Sequence, residues 1–89
     1  MNKEKINRLI TNNNLTLEAK IIYLYFISIK NKENKVSVPI SKIKNDLDIS
    51  SDRFYRHREL LIKNKCIEVI KKREKGMFTP IVYKIKEDN

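Results

Sequence analysis

The apolar residues of this sequence change their spacing once, at Cys66, and that change limits the folds open to the chain. Before it, apolar residues recur at intervals of three and four, as on one face of a helix. Residues 67–72 then alternate with a period of two, as in a strand, and residues 81–85 resume the alternation beyond the single glycine, Gly76. The sequence therefore predicts an α+β domain that ends in a two-stranded β-hairpin, with residues 73–76 as its turn.

Pro80 lies in the segment that forms the second strand of this hairpin. A proline donates no backbone hydrogen bond, and within sheets it is found mainly on edge strands. The sequence therefore predicts that this second strand is an edge strand. Residues 36–38 also alternate between apolar and polar, which predicts one further short strand.

Three helices are predicted before the hairpin. The first begins after Thr16, a good N-cap, and is apolar over more than half of its circumference as far as Ile29. A short second helix begins at Pro39, and a third begins after the N-cap Ser50 and runs to about Lys65. A tight turn separates the second helix from the third.

A chain of 89 residues makes one domain, and its charge indicates the class of its partner. The 20 Lys and Arg residues exceed the 11 Asp and Glu residues, and the net charge of +9 points to a polyanion. We expect residues 1–14 to form an N-terminal arm or a short helix, residues 15–86 the domain, and residues 87–89 a tail. Because no signal peptide and no apolar segment of bilayer length is apparent, we expect a cytoplasmic protein with no membrane partner.

An apolar stripe, a tight turn and a Ser-capped helix follow one another in residues 40–50, and Phe54-Tyr55-Arg56-His57 and Leu61 continue the pattern. This order resembles the winged helix-turn-helix superfamily, whose fold is a three-helix core followed by a C-terminal β-hairpin wing. Residues 15–70, which open with Leu15-Thr16-Leu17-Glu18-Ala19-Lys20-Ile21-Ile22, are also similar to the helix-turn-helix domains of plasmid and phage replication proteins. The chain further resembles the small TcpK-type relaxosome accessory proteins of conjugative plasmids.

Two positions differ from the usual pattern of this superfamily. The turn has Asp48 where glycine is usual, and aspartate tolerates the left-handed backbone better than most residues do. The second helix has Lys44 where a small residue is usual, so this side chain has to extend to solvent. The angle between the second and third helices is therefore left open.

The resemblance implies a protein that reads duplex DNA with its third helix and its basic wing. The start of the third helix would enter the major groove, where Arg53 or Arg56 is suited to a bidentate contact with guanine. The expected DNA contacts are Ser51, Asp52, Arg53, Tyr55 and Arg56 on the third helix, Lys42 and Lys44 on the second, and Lys71, Lys72, Arg73 and Lys75 in the wing. Such a protein would be an accessory factor or regulator of a mobile element, in plasmid or phage replication, conjugation or transcription regulation. A homodimer, or a replication or relaxosome protein, is its expected protein partner.

The same residues also allow structural interpretations. Asp52 stabilises the start of its helix through the helix dipole, which is a simpler role than reading cytosine, and a charged wing protects a strand edge from aggregation. The broad apolar face from Ile21 to Ile29 supports an alternative function, a protein–protein interaction module on the same scaffold. RNA is a third partner compatible with the charge, although the chain lacks the paired aromatics of single-strand readers.

No catalytic or metal site is indicated by the sequence. It contains no Gly-rich phosphate loop and no nucleophile with a base at a known spacing. His57 is the only histidine, and the inner face of the third helix is expected to consist of Phe54, Leu61 and either His57 or Arg58. Cys66 is the only cysteine, so neither a disulfide within the chain nor a metal site built on thiols is expected, and we expect it to be a small packed residue rather than a reactive thiol. We therefore expect no enzyme activity, no cofactor and no metal.

Overall fold

The computed structural model describes residues 2–71 and 80–86, and its architecture is α+β. The helices within that part of the chain are α1 (Lys3–Ile10), α2 (Leu17–Ile29), α3 (Ile40–Leu47) and α4 (Ser51–Lys63), and the strands are β1 (Lys35–Ser37), β2 (Ile67–Lys71) and β3 (Val82–Ile85). The helices predicted first, second and third correspond to α2, α3 and α4, and the layout is compatible with a winged-helix-like arrangement. None of these helices combines the length and the apolar composition needed to cross a bilayer.

The three strands form one antiparallel sheet in the order β1-β3-β2. Tyr83 of β3 lies opposite Val36 of β1 on one side and Val69 of β2 on the other. The prediction of a two-stranded C-terminal wing is therefore wrong in its strand count. The short strand recognised from its alternation joins the same sheet, because β3 offers it an unpaired edge.

The prediction that the last strand is an edge strand is also wrong. β3 is the central strand of the described sheet. Pro80 precedes Val82, the first residue of β3, so its missing N–H group falls outside the hydrogen-bonded ladder. The proline therefore lies just before the strand, and it does not indicate whether β3 is an edge strand or a central strand.

Three aromatic rings from different elements meet at the centre of the core. Phe26 of α2 stacks on Tyr83 of β3 with ring centroids 5.1 Å apart, and it meets Phe54 of α4 edge-on at 6.3 Å. All three side chains are buried. Removing one such phenylalanine side chain typically costs about 3–5 kcal/mol, so this contact binds α2, α4 and the sheet into one unit.

The start of each of the two long helices is fixed by the predicted hydroxyl cap. The Thr16 hydroxyl oxygen accepts a hydrogen bond from the Ala19 N–H at 3.1 Å, at the start of α2. The Ser50 hydroxyl oxygen accepts one from the Arg53 N–H at 3.2 Å, at the start of α4. Both caps satisfy an amide that has no partner within its helix.

α4 ends two residues earlier than predicted, at Lys63. The backbone of Lys65 is left-handed, with φ of 60°, and the Cys66 N–H donates to the Leu61 carbonyl oxygen at 2.8 Å. A left-handed residue with such a returning hydrogen bond closes a helix C-terminus. This closure turns the chain directly into β2.

Residues 3–10 form a helix that packs on the domain through Leu9, its one buried residue. The Asn2 side chain caps the start of α1, accepting a hydrogen bond from the Lys5 N–H at 2.8 Å. Beyond the helix, the Asn12 side-chain oxygen accepts one from the Asn14 N–H at 2.9 Å. The asparagine run therefore follows the end of α1 with a turn that is closed by a hydrogen bond between a side chain and the backbone of the run itself.

Candidate nucleic-acid interface

The turn between α3 and α4 determines how α4 is presented to solvent. α3 ends at Leu47, and its C-cap Asp48 has a left-handed backbone (φ 51°, ψ 53°), so the prediction that this aspartate tolerates the left-handed region is confirmed. The next residue, Ile49, is buried, and its N–H donates to the Lys44 carbonyl oxygen at 3.2 Å. The turn is thus anchored in the core while α4 starts at the surface.

α4 buries one side and exposes the other. Phe54, His57 and Leu61 are buried, which confirms the predicted inner face. The side chains exposed along the rest of the helix are Asp52, Arg53, Arg56, Glu59 and Lys63. A helix that is rigidly held on one side and polar on the other has the shape that fits a DNA major groove.

The first turn of α4 contains Ser51 and Asp52, both expected as DNA contacts. Ser51 is half-buried, and Asp52 is exposed. The Asp52 carboxylate lies in the turn where the positive end of the helix dipole stabilises an acid. Asp52 therefore has a structural role, the stabilisation of the start of α4, that requires no ligand.

The two arginines expected to reach base edges have different surroundings. The Arg53 guanidinium lies 3.6 Å from the carboxylate of Glu18, at the start of α2. Arg56 is exposed and has no ion pair or side-chain hydrogen bond within the described part of the chain. Arg56 is therefore free for a new bidentate contact, whereas Arg53 has to give up or share an existing one.

The third arginine of α4, Arg58, ties the helix to the sheet. Its guanidinium lies 4.8 Å from the centre of the Tyr55 ring, donates to the Tyr83 hydroxyl oxygen at 3.2 Å and contacts the Glu59 carboxylate at 2.6 Å. Burial raises the pKa of Tyr83, against the opposing effect of Arg58, so the hydroxyl stays protonated. Tyr55, expected among the base contacts, is half-buried with part of its ring covered by this guanidinium. The spacing of three residues between Tyr55 and Arg58 was the available sequence signal for the contact.

A buried histidine connects α4 to the start of α2, a connection that the sequence interpretation did not foresee. The Nδ1 atom of His57 lies 2.8 Å from the Thr16 hydroxyl oxygen, and its Nε2 atom lies 3.3 Å from the Glu18 carboxylate. A backbone hydrogen bond in the first turn of α2 lowers the pKa of Glu18, and His57 and Arg53 lower it further. The carboxylate is therefore ionised at neutral pH and holds the Arg53 side chain towards α2.

The two lysines of α3 that were expected as DNA contacts also differ in their surroundings. The Lys42 ammonium lies 3.0 Å from the Asp46 carboxylate, which accepts a hydrogen bond from the Tyr25 hydroxyl at 2.6 Å. The Tyr25 hydrogen bond, followed by Lys42, lowers the pKa of Asp46. Lys44 is exposed, has no ion pair within the described residues, and borders a shallow open groove that also contacts Ser50. Lys44 is thus the α3 lysine that is free to meet a phosphate.

The expected wing contacts fall largely beyond what the structure describes. The backbone of Lys71 ends β2 and pairs with Val82, after an irregularity in the register that follows Val69. The expected contacts Lys72, Arg73 and Lys75, and the turn at Gly76, lie outside the described residues. The interface that can be described is therefore the exposed surface of α3, the turn and α4.

Metal-ligating side chains are not gathered in this part of the chain. No group of three or more His, Cys, Asp or Glu residues in residues 2–71 and 80–86 is placed to hold a metal ion. Cys66 is half-buried against the core, as predicted for a small packed residue, and its thiol lies 3.8 Å from the Asn64 carbonyl oxygen.

The chain was also compared with known proteins. No protein-family model, no curated protein and no solved structure matches it.

Proposed function

We propose that this chain is a winged helix-turn-helix protein that binds duplex DNA through α3, the turn and α4. The observation that supports this most is the exposed side of α4, where Arg56 has no acidic partner within the described residues while the opposite side of the helix is fixed in the core. Lys44, on the neighbouring helix, is exposed and has no ion pair with any residue that the structure describes. One side chain is thus available to read a base and another to hold the backbone.

Each contact has a defined physical role in this proposal. Arg56 makes a bidentate hydrogen bond to guanine in the major groove, a contact that contributes about 1–3 kcal/mol of discrimination between bases. Lys44 neutralises a phosphate and positions the protein without reading sequence. The net charge of +9 attracts the polyanion and makes binding weaken steeply as salt rises.

The biological role proposed is that of an accessory factor or regulator of a mobile element. The protein would bind a short site at an origin of replication or transfer, or at a promoter of a plasmid or phage, and would catalyse nothing itself. A replication or relaxosome protein is the partner proposed for it at such a site.

A binding selection from random duplexes tests the proposal with Arg56→Ala and Lys63→Ala, two exposed positions of the same helix. We expect wild type and Lys63→Ala to enrich the same motif. Arg56→Ala should lose its preference for guanine at one position and bind the wild-type site about 5- to 150-fold more weakly. Duplex affinity no better than millimolar at low salt would reject the proposal, and an unchanged motif with Arg56→Ala would reject reading by this arginine.

A second candidate function, protein–protein interaction, is favoured by one observation. Much of the apolar face from Ile21 to Ile29 is used inside the domain, but Leu17 is 73% exposed and Ile21 is 48% exposed. These two side chains border a groove with Leu47 and Ile49. If they form a homodimer, the pair of substitutions Leu17→Ser and Ile21→Ser should halve the molar mass seen by light scattering and leave the DNA motif intact. A monomeric wild-type protein would remove the homodimer from consideration.

A further inference from the structure

A second cluster of basic side chains surrounds a cleft at the far end of α4. The cleft lies between α1, the turn from α4 to β2, and the end of β3, and its volume is about 150 Å³. Four cationic side chains line it together with two asparagines: Lys5, Arg8, Lys65, Lys86, Asn12 and Asn64. None of these residues was expected to bind a ligand from the sequence, because they come from three separate parts of the chain.

The charge around this cleft is unbalanced. No acidic residue of the described part of the chain lines it. The groove beside α2 provides the contrast, because Glu18 and Asp48 line it together with Arg53. A cleft with cations on several sides and no acid has a positive potential that attracts an anion.

The cations of the cleft are only weakly engaged by neighbours. Arg8 lies 3.8 Å from Glu4, and Lys86 lies 3.5 Å from Glu68, and all four of these side chains are substantially exposed. Exposed pairs of this kind typically contribute about 0–1 kcal/mol, so an anion with several oxygens competes with them readily. Lys65 has no ion pair within the described residues.

The backbone that carries these side chains is held in place. The Lys86 N–H donates to the Cys66 carbonyl oxygen at 2.8 Å, which joins the end of β3 to the residue after Lys65. The Asn12 side-chain oxygen is taken by the Asn14 N–H, so its amide NH₂ group is left as the donor. The cleft therefore presents cationic side chains on an anchored backbone, together with an amide NH₂ donor, and this combination suits a compact anion with several acceptor oxygens.

We propose that this cleft binds a phosphate group. α4 has 13 residues and is about 20 Å long, whereas a major groove is about 8.5 Å deep. On the proposed function, a duplex read by the first turns of α4 therefore does not extend to the cleft at its other end. The phosphate belongs either to the backbone of a second nucleic-acid segment or to a small phosphate-bearing molecule.

Titration with inorganic phosphate, followed by amide chemical shifts at constant ionic strength, tests the site directly. We expect saturable shifts for residues 5–12 and 64–66 that equivalent chloride does not produce. The double variant Lys5→Glu, Lys65→Glu should weaken this binding at least 10-fold. The control Lys30→Glu, Lys32→Glu changes the net charge equally but lies after α2, away from the cleft, and should retain it. Equal losses in the two variants, or equal shifts with chloride, would overturn the proposal.

The source of the phosphate is resolved by the stoichiometry of DNA binding in sedimentation experiments. Two duplexes per wild-type protein and one per Lys5→Glu, Lys65→Glu protein would identify a second nucleic-acid segment. One duplex on each, with phosphate binding present in wild type alone, would identify a small molecule. Since the phosphate titration contains no DNA, it succeeds or fails separately from the proposed function.

Discussion

The Nδ1 atom of His57 lies 2.8 Å from the hydroxyl oxygen of Thr16, so the residue that caps α2 is bonded to a buried ring of α4. The same hydroxyl oxygen accepts the Ala19 N–H, and the other ring nitrogen faces the Glu18 carboxylate at 3.3 Å. Every group is satisfied when Nε2 carries the ring hydrogen and the threonine hydroxyl donates to Nδ1. One small side chain thus serves both the start of a helix and the packing between two helices.

Replacing Thr16 with alanine should therefore cost more than the loss of an ordinary cap. The missing cap costs about 1 kcal/mol, and leaving a buried acceptor of His57 unsatisfied costs about 1–3 kcal/mol more. Thr16→Ser keeps the hydroxyl and is the matched control, expected within about 0.5 kcal/mol of wild type. Urea unfolding measures both, and equal stability of the two variants would show that the contact with His57 contributes nothing.

The left-handed backbone of Asp48 predicts an unusual ranking of substitutions. The left-handed conformation costs a residue with a Cβ atom about 1–2 kcal/mol of conformational free energy, and this cost is smaller for aspartate than for most residues. Asp48→Ala should lower the free energy of unfolding by about 1 kcal/mol, while Asp48→Gly should not lower it. Thermal unfolding of the two variants gives the comparison, and an alanine variant as stable as the glycine variant would contradict the turn geometry.

Lys44 provides a test of the phosphate contact in the proposed interface. Lys44→Ala should weaken binding to all duplexes by a similar factor and reduce the slope of log affinity against log salt by about 1. Lys32→Ala removes the same charge from the loop after α2 and should leave this slope unchanged. The slopes are measured by fluorescence anisotropy over a salt series. A Lys44→Ala slope equal to that of wild type would remove Lys44 from the interface.

Tyr25 predicts a loss of stability in alkaline solution. Burial, together with the hydrogen bond to Asp46, raises the pKa of Tyr25 to about 12, compared with about 10 in an unfolded chain. Because the folded state keeps its proton longer, this contribution is complete below about pH 10 and is lost as the pH rises through about 12. Tyr25→Phe should show a smaller decline over this interval in pH-dependent urea unfolding, and an identical decline would contradict the assignment.

The sequence predicted the features of this fold that depend on neighbouring residues. Thr16 and Ser50 cap helices because their hydroxyls reach amides three residues away, and Asp48 turns the chain because of its own backbone preference. The order of the sheet depends on distant residues. Alternation identified β1 as a strand but did not show that Val36 pairs with Tyr83, and the rule for proline was applied to a residue that precedes its strand.

In the candidate site too, the sequence predicted what depends on neighbouring residues and missed what depends on distant ones. Spacing placed Arg53 and Arg56 on one exposed surface and made them equivalent readers of DNA. The structure separates them, because Glu18 from a different helix contacts Arg53 and leaves Arg56 unpaired within the described residues. No local pattern reveals such a partner, since Glu18 lies more than thirty residues before the arginine it contacts.

The central place of β3 has a consequence for the order in which the molecule assembles. Val36 pairs with Tyr83, which lies more than half the chain length away in sequence. Closing so long a loop has an entropic cost that helix formation does not have. The helices can pair early, and β2 can pair with β3 across a short separation in sequence, whereas β1 can join the sheet only when residues this far apart meet. We therefore expect the completion of the sheet to limit the folding rate. A destabilising substitution in β3 should destabilise residues 35–37 as much as it destabilises β3 itself.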